Sequence, residues 1–219
     1  MSEMQRSIPE ETREWVERLK KAATPQERVQ AASELRAAAV RTRGAIPTRG
    51  ALTHAGEPLL SSSDLADVLR ELKNQPAEVR REVAFALGEV GGEDMVAPLA
   101  ELAKDPDSSV RFIAADALGR IGGPKAVEEL MRLAKSDPHE NIRALAVEAL
   151  GALAIQEWKA AVRTRGAVKV KGPTPPQEEK LGLDVESLSQ ALEKIAQEDR
   201  SSYVRDTVLD ILAALRARI

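Results

Sequence analysis

Residues 105–135, with the sequence DPDSSVRFIAADALGRIGGPKAVEELMRLAK, predict one helical hairpin. Asp105 and Pro106 are typical of a helix start, because Asp accepts hydrogen bonds from free backbone N–H groups and Pro fits the first helical position. Gly122 and Gly123 predict the helix end, because glycine adopts the left-handed conformation without strain. Apolar residues recur at helical spacing in both helices: Val110, Ile113, Ala114, Ala117, Leu118 and Ile121, then Ala126, Val127, Leu130 and Leu133.

The same pattern recurs elsewhere in the chain. We call Val110 the anchor of its hairpin. The residues at the equivalent position in the other copies are Val29, Val79, Ile142 and Val204. Five residues before each anchor stands a residue that can cap a helix: Thr24, Asn74, Asp105, Asp137 and Asp199. Eight residues after the last four anchors stand Leu87, Leu118, Leu150 and Leu212. Because one hairpin cannot bury its own apolar stripes, we expect the copies to stack.

The stretches DPDSSVRFIAADALGRIGG and DPHENIRALAVEALGAL resemble HEAT repeats, in the short-unit subtype also found in phycobilin lyase-like proteins. The resemblance implies an all-α fold, a right-handed α-solenoid of about five helical hairpins. It also implies a ladder between repeats, made by the Asp before each second helix and the Arg that follows the anchor. The residues at these positions are Asp105 and Arg111, Asp137 and Arg143, and Asp199 and Arg205. The first copy departs from the pattern with Thr24 and Gln30, and the second has Asn74.

We predict a single domain over residues 1–219, in which two long loops interrupt the repeats. The predicted repeats cover about 9–41, 62–90, 94–121, 124–161 and 184–218. The insertions are residues 42–61 and 162–183, where the anchor spacing lengthens.

The two insertions share a basic sequence, because AAVRTRGA occupies residues 38–45 and again residues 160–167. An arginine fork binds phosphate or carboxylate well. Three interpretations stay open: arms that grip an acidic partner or phosphates, arms that fold back on acidic helices of the same chain, and an inherited or engineered copy without a role. Residues 167–171 alternate as in an edge strand, which would let the loops pair with each other or across a homodimer. The candidate cationic residues are Arg41, Arg43, Arg49, Arg163, Arg165, Lys169 and Lys171.

A second candidate surface lies on the second helices of the hairpins, where HEAT proteins usually bind partners. Residues two and six positions after an anchor point away from the core of an ideal helix. We predict a partner-binding face there, made by Arg81, Phe85, Phe112, Asp116, Glu148 and Asp210. Ala144 and Asp206 fall in the same columns. Alternatively, the N-terminal segment or the first insertion covers the two Phe residues.

Composition narrows the function classes. The 219 residues carry a net charge of −3 and include no Cys and only two His. A generic nucleic-acid binder, a disulfide scaffold and thiol catalysis are therefore disfavoured. The N-terminal residues are too polar for a signal peptide, and no apolar run reaches the roughly 20 residues of a membrane helix. We expect a cytoplasmic protein without a membrane segment, metal, cofactor or catalytic residues.

The sequence therefore predicts a non-catalytic adaptor that binds another protein or peptide. The alternative is phosphate or nucleic-acid binding through the two RTRG segments. A remote alternative, which depends on the resemblance alone, is phycobilin lyase-like handling of a chromophore.

Overall fold

The computed structural model describes residues 14–15, 17–44, 66–167 and 185–217. Within these residues the regular structure is helical and contains no strand, which confirms the all-α prediction for this part of the chain. None of these helices combines the length and apolar character needed to cross a bilayer. In chain order the helices are α1 (14–15 and 17–21), α2 (Pro25–Gly44), α3 (Ala66–Leu72), α4 (Ala77–Val90), α5 (Val96–Leu102, preceded by a 3-10 turn at Glu93–Met95), α6 (Ser108–Ile121), α7 (Pro124–Ser136), α8 (Glu140–Ala167), α9 (Val185–Glu198) and α10 (Ser202–Arg216).

The chain divides into two compact units, Met1–Ile121 and Gly122–Ile219. In the first unit α4 packs against both α2 and α6, and α5 packs against α6. Leu35, Leu99 and Leu118 are buried between these helices. Each buried leucine contributes about 1.5–3 kcal/mol to folding.

In the second unit α8 packs against both α7 and α10, and α9 packs against α10. Leu130, Leu192 and Val208 form part of its core. The helices α8 and α10 approach closely at Gly151. A Cβ added there would lie only 2.6 Å from Cγ2 of Ile211.

The predicted core columns are confirmed. The anchors Val79, Val110, Ile142 and Val204 are at most 2% exposed. The leucines eight residues after them are buried as well. Val29, the anchor of the first copy, is only half-buried. The handedness and the number of stacked hairpins stay predictions.

The predicted helix ends are also confirmed. Gly122 and Gly123 have φ angles of 75° and 90° and separate α6 from α7. Gly91 and Gly92, with φ angles of 69° and 89°, do the same after α4. These angles lie in the left-handed region, which strains any residue with a Cβ.

The predicted helix starts at the Asp-Pro pairs were wrong by about two residues. α6 begins at Ser108 and its cap is Asp107, whose Oδ1 accepts the backbone N–H of Ser109 at 2.8 Å. The hydroxyl of Ser109 also donates to Asp107, and these bonds lower the pKa of Asp107. Asp105 instead accepts the backbone N–H of Asp107 at 2.9 Å and closes a turn before the helix. The carboxylate of Asp105 is engaged by this turn and by Arg80 of the preceding repeat, so it does not cap the helix.

The same turn precedes α8 and α10. Oδ1 of Asp137 accepts the backbone N–H of His139 at 2.9 Å, and Oδ1 of Asp199 accepts that of Ser201 at 2.8 Å. These aspartates therefore shape the turns that precede α8 and α10.

The ladder implied by the resemblance is present within each unit. Arg80 donates from Nε and Nη2 to Asp105 of the next repeat at 2.6 and 2.8 Å. Arg143 makes the equivalent two bonds to Asp199 at 2.7 and 2.8 Å. Arg143 also donates to the backbone oxygen of Asp137 at 2.9 Å, so it joins its own turn to the next one. The bidentate geometry is the strongest form of this contact.

The ladder shifts the pKa of Arg80, Arg143 and Asp199. The hydrogen bond to Asp105 raises the pKa of Arg80, and that to Asp199 raises the pKa of Arg143. Burial alone would raise the pKa of Asp199, but the hydrogen bonds from Arg143 and from the backbone N–H of Ser201 outweigh it and lower that pKa.

The first copy replaces the ladder with other contacts. Thr24 caps α2 through its hydroxyl, which accepts the backbone N–H of Glu27 at 3.3 Å. Glu27 accepts the backbone N–H of Thr24 at 3.2 Å, so the two residues form a capping box. Arg28 donates to the backbone oxygen of Ala22 at 3.2 Å and to Glu71 on α3 at 3.2 Å.

The prediction that both RTRG segments are loops was wrong. α2 continues to Gly44 and α8 continues to Ala167, so AAVRTRG is helical in both places. Ala and Arg are strong helix formers, and no proline interrupts the segment. Arginine is also favourable in the last turn, where the backbone carbonyls carry partial negative charge. The remainder of the predicted insertions, 45–61 and 168–183, lies outside the described residues, as does most of the predicted edge strand.

Candidate partner-binding face

In the first unit the predicted face is built on two adjacent helices. Arg81 and Phe85 are four residues apart on α4, and Phe112 and Asp116 are four residues apart on α6. Residues at this spacing project from the same side of a helix. Because α4 and α6 pack against each other, the four residues share one helix pair.

The two Phe residues differ in accessibility. Phe112 is 40% exposed and lies at the surface. Phe85 is half-buried, and Cζ of Arg36 on α2 lies 4.7 Å from the centre of its ring. A guanidinium at this distance is attracted to the face of the ring. The chain's own α2 therefore partly covers Phe85, whereas Phe112 is the more accessible aromatic residue.

On the α2 side of this face, the charged residues are paired. Glu82 lies 3.8 Å from Arg36 and 3.7 Å from Arg81, and accepts a hydrogen bond from Ser33 at 3.3 Å. The side chain of Glu82 is largely buried, while those of Arg36 and Arg81 are about 40% exposed. These contacts hold the charged side chains beside Phe85 in place. Because the opposite charges are paired, this part of the surface has no strong electrostatic potential of either sign.

The α6 side is paired in the same way. Arg120 binds Asp116 at 3.0 Å on its own helix and also binds Glu89 of α4. Together with the pairs around Glu82, this gives three arginines and three carboxylates. Binding to a nucleic acid needs a surplus of cations toward the phosphates, which this surface lacks.

In the second unit the predicted residues are acidic. Glu148 on α8 and Asp210 on α10 are exposed, and the two helices pack together. Ala144 was predicted to point outward, but it is buried. Near its start α8 is enclosed on most sides, since Ile142 and Arg143 are also buried. The role of these residues in binding a partner stays a prediction.

The structure places four of the predicted cationic residues near helix ends. Arg41 and Arg43 lie in the last turn of α2, and Arg163 and Arg165 lie near the end of α8. Cations in these positions stabilise the helix itself. The side chains of these four residues are outside the described part of the structure. Arg49, Lys169 and Lys171 also lie outside it.

Sequence reasoning missed three surface residues. Arg36 gave no local signal, because its contact with Phe85 depends on how α2 packs against α4. Tyr203 and Leu209 on α10 are 51% and 55% exposed. Leu209 did carry a signal, because the residue five positions after the anchor is buried in the second, third and fourth copies: Ala84, Ala115 and Val147. Within the described residues, no group of three or more His, Asp or Glu side chains could hold a metal ion.

Comparison with known proteins identifies the repeat. Residues 63–151 match the family described as HEAT repeats, and no curated protein matches the chain. One similar solved structure is an engineered protein from a structural genomics consortium, 18% identical over 95% of this chain and 97% of its own, with a TM-score of 0.45. Another is a de novo designed 16-helix transmembrane nanopore, 16% identical over 99% of this chain and 66% of its own, with a TM-score of 0.23. Both TM-scores are low, so the assignment depends on the family match together with the buried anchors and the ladder. Residues 63–151 of this chain are thus similar to HEAT repeats in sequence.

Proposed function

We propose that this chain is a non-catalytic scaffold that binds another protein through the α4–α6 face centred on Phe112. HEAT repeats generally mediate protein–protein interactions and are typically non-enzymatic. The single observation that carries the proposal is Phe112, which is 40% exposed on a surface whose surrounding charges are already paired.

Such a surface has the composition of a protein interface. An exposed aromatic residue supplies apolar area at little cost in side-chain entropy, and a polar rim excludes water once the partner is bound. Phe85 also contributes to this face. The guanidinium of Arg36 lies over the Phe85 ring and offers the partner a flat, cationic contact. A peptide or protein segment with an apolar side chain and mixed charge fits this surface.

The proposal assigns a second contact to Glu148 and Asp210 in the second unit. Both residues are exposed and acidic, so they favour a basic segment of a partner. Arg81 and Asp116 contribute polar contacts beside the two Phe residues.

The two RTRG helix ends support an additional role in binding. The same sequence AAVRTRG lies at the end of α2, which has 20 residues, and of α8, which has 28, whereas α4 and α6 each have 14. Each of these helix ends carries two arginines, which suit contact with an acidic partner. The alternative is phosphate or nucleic-acid binding by the same arginines. Affinity for phosphates would fall log-linearly with salt, whereas a contact centred on Phe112 would not.

Quantitative pull-down from the source cells tests the proposal. The wild type, Phe112→Ala, Tyr203→Ala and the double variant Arg43→Glu/Arg165→Glu are compared. Tyr203 is the matched control, because it is an exposed aromatic residue on another helix. We expect Phe112→Ala to lower recovery of the partner about tenfold and Tyr203→Ala to leave it unchanged.

Equal recovery with Phe112→Ala and wild type would contradict the proposal. Complete loss in the arginine variant alone, with a steep salt dependence, would instead support the phosphate alternative.

A further inference from the structure

Two pairs of helices in the structure stack by the same rule. On α4 the residues one, five and nine positions after the anchor are Arg80, Ala84 and Gly88. Arg80 binds Asp105 of the next repeat, and Ala84 is fully buried. A Cβ added at Gly88 would lie 2.6 Å from Cβ of Ala117 on α6. We call these three positions the stacking stripe.

The stacking stripe of α8 makes the same contacts with α10. It consists of Arg143, Val147 and Gly151. Arg143 binds Asp199, Val147 is fully buried, and Gly151 lies against Ile211. Ala117 and Ile211 both stand seven positions after their anchors, so the two stacks use equivalent residues on both sides.

The stacking stripe of α10 consists of Arg205, Leu209 and Ala213, and it is not covered. Leu209 is 55% exposed, and Ala213 is exposed as well. Arg205 donates to the backbone oxygen of Asp199 at 2.8 Å, as the other ladder arginines do in their own turns. In the part of the chain that the structure describes, no carboxylate meets the guanidinium of Arg205.

We propose that the stacking stripe of α10 is a docking surface for one further helical hairpin of the same type, supplied by a partner protein. The hairpin carries an aspartate that binds Arg205 and a small or branched aliphatic residue that packs on Ala213. The stacking stripe of α10 continues the pattern of the two stacks described above. The positive charge of Arg205 also lacks a carboxylate partner among the described residues. This surface is separate from the Phe112 face and does not depend on the function proposed for it.

A second copy of this chain is a poorer occupant. Stacking head to tail would bring its first repeat onto α10, and that repeat has Thr24 at the position of the aspartate. A neutral hydroxyl does not replace a carboxylate opposite a half-buried arginine. This comparison favours a hairpin from a different protein over a second copy of this chain.

The first test adds a hairpin of known sequence. The full chain is extended at its C-terminus by a second copy of residues 181–219, which supplies the required Asp199 and Ile211 in the correct register. We expect the melting temperature to rise by about 5 °C or more relative to the unextended chain. Leu209→Glu in the original α10 should remove this gain, but should shift the unextended chain by no more than about 2 °C.

Tyr203→Glu is the matched control, because Tyr203 is exposed on the same helix outside the stacking stripe. It should leave the gain intact. In the added copy, Asp199→Ala should reduce the gain by at least half. No gain on extension, or a gain that survives Leu209→Glu, would overturn the proposal.

The second test concerns the natural occupant. A partner captured by the wild type and by Tyr203→Glu, but not by Leu209→Glu, should lose binding when the aspartate of its own hairpin is replaced by alanine. Light scattering of the unextended chain measures whether it forms a dimer. A dimer that Leu209→Glu dissociates would show that the occupant is a second copy and would overturn the proposal.

Discussion

Replacing Arg143 by methionine tests the ladder. The side chains of Arg143 and Asp199 are 4% and 6% exposed, and two short hydrogen bonds join them. The substitution removes these bonds and the one to the backbone oxygen of Asp137, and leaves the Asp199 carboxylate buried without its cation. Removing one member of a buried ion pair costs about 3–5 kcal/mol. We expect the free energy of unfolding to fall by that amount.

The assay is urea denaturation followed by circular dichroism, as a double-mutant cycle. Asp199→Leu alone should cost a similar amount, because it leaves the guanidinium unpaired. The double variant should cost less than the sum, with a coupling of about 2 kcal/mol. The matched control is the exposed pair of Lys194 and Glu198, 3.8 Å apart, where Lys194→Met should cost less than about 0.5 kcal/mol.

The reasoning would be refuted if Arg143→Met cost no more than Lys194→Met. Additive effects of the two substitutions at Arg143 and Asp199 would also refute it, because they would show that the two side chains do not stabilise each other.

Three further predictions concern local features. Gly88→Ala should destabilise the protein by about 1–3 kcal/mol in thermal unfolding, because its Cβ meets the backbone-anchored Cβ of Ala117, and Ala117→Gly should restore most of the loss. Thr24→Ala should cost about 1 kcal/mol by chemical denaturation, because it removes the cap of α2; no measurable change would contradict the capping box. The lowered pKa of Asp199 stabilises the fold above about pH 4, and this contribution is lost as the pH falls through the lowered value. Acid titration should therefore destabilise the wild type more than Asp199→Asn.

Much of the fold could be predicted from local patterns. The spacing of Val79, Val110, Ile142 and Val204 predicted buried positions, because a helix in a stack has one covered face. The Gly122–Gly123 pair predicted the helix end, because its backbone requirement is local. The ladder came from the resemblance and needed only the identity of two residues per repeat.

The predictions that were wrong have other causes. Asp105 was predicted to cap its helix, but Arg80 of the preceding repeat binds its carboxylate, and that contact depends on stacking. The RTRG segments were predicted to be loops from their glycines, although glycine is tolerated where a helix ends anyway. The position of Arg36 over Phe85 and the burial of Ala144 depend on how neighbouring helices pack, which one helical pattern does not contain.

Site-specific photocrosslinking tests the proposed binding face most directly. A benzophenone-bearing phenylalanine replaces Phe112 in one variant and Tyr203 in another, and the crosslinked products are identified by mass spectrometry. The account predicts one dominant protein adduct at position 112, absent at position 203 and competed away by unmodified wild type. Adducts of equal yield and identity at both positions, or an adduct at position 203 alone, would contradict it.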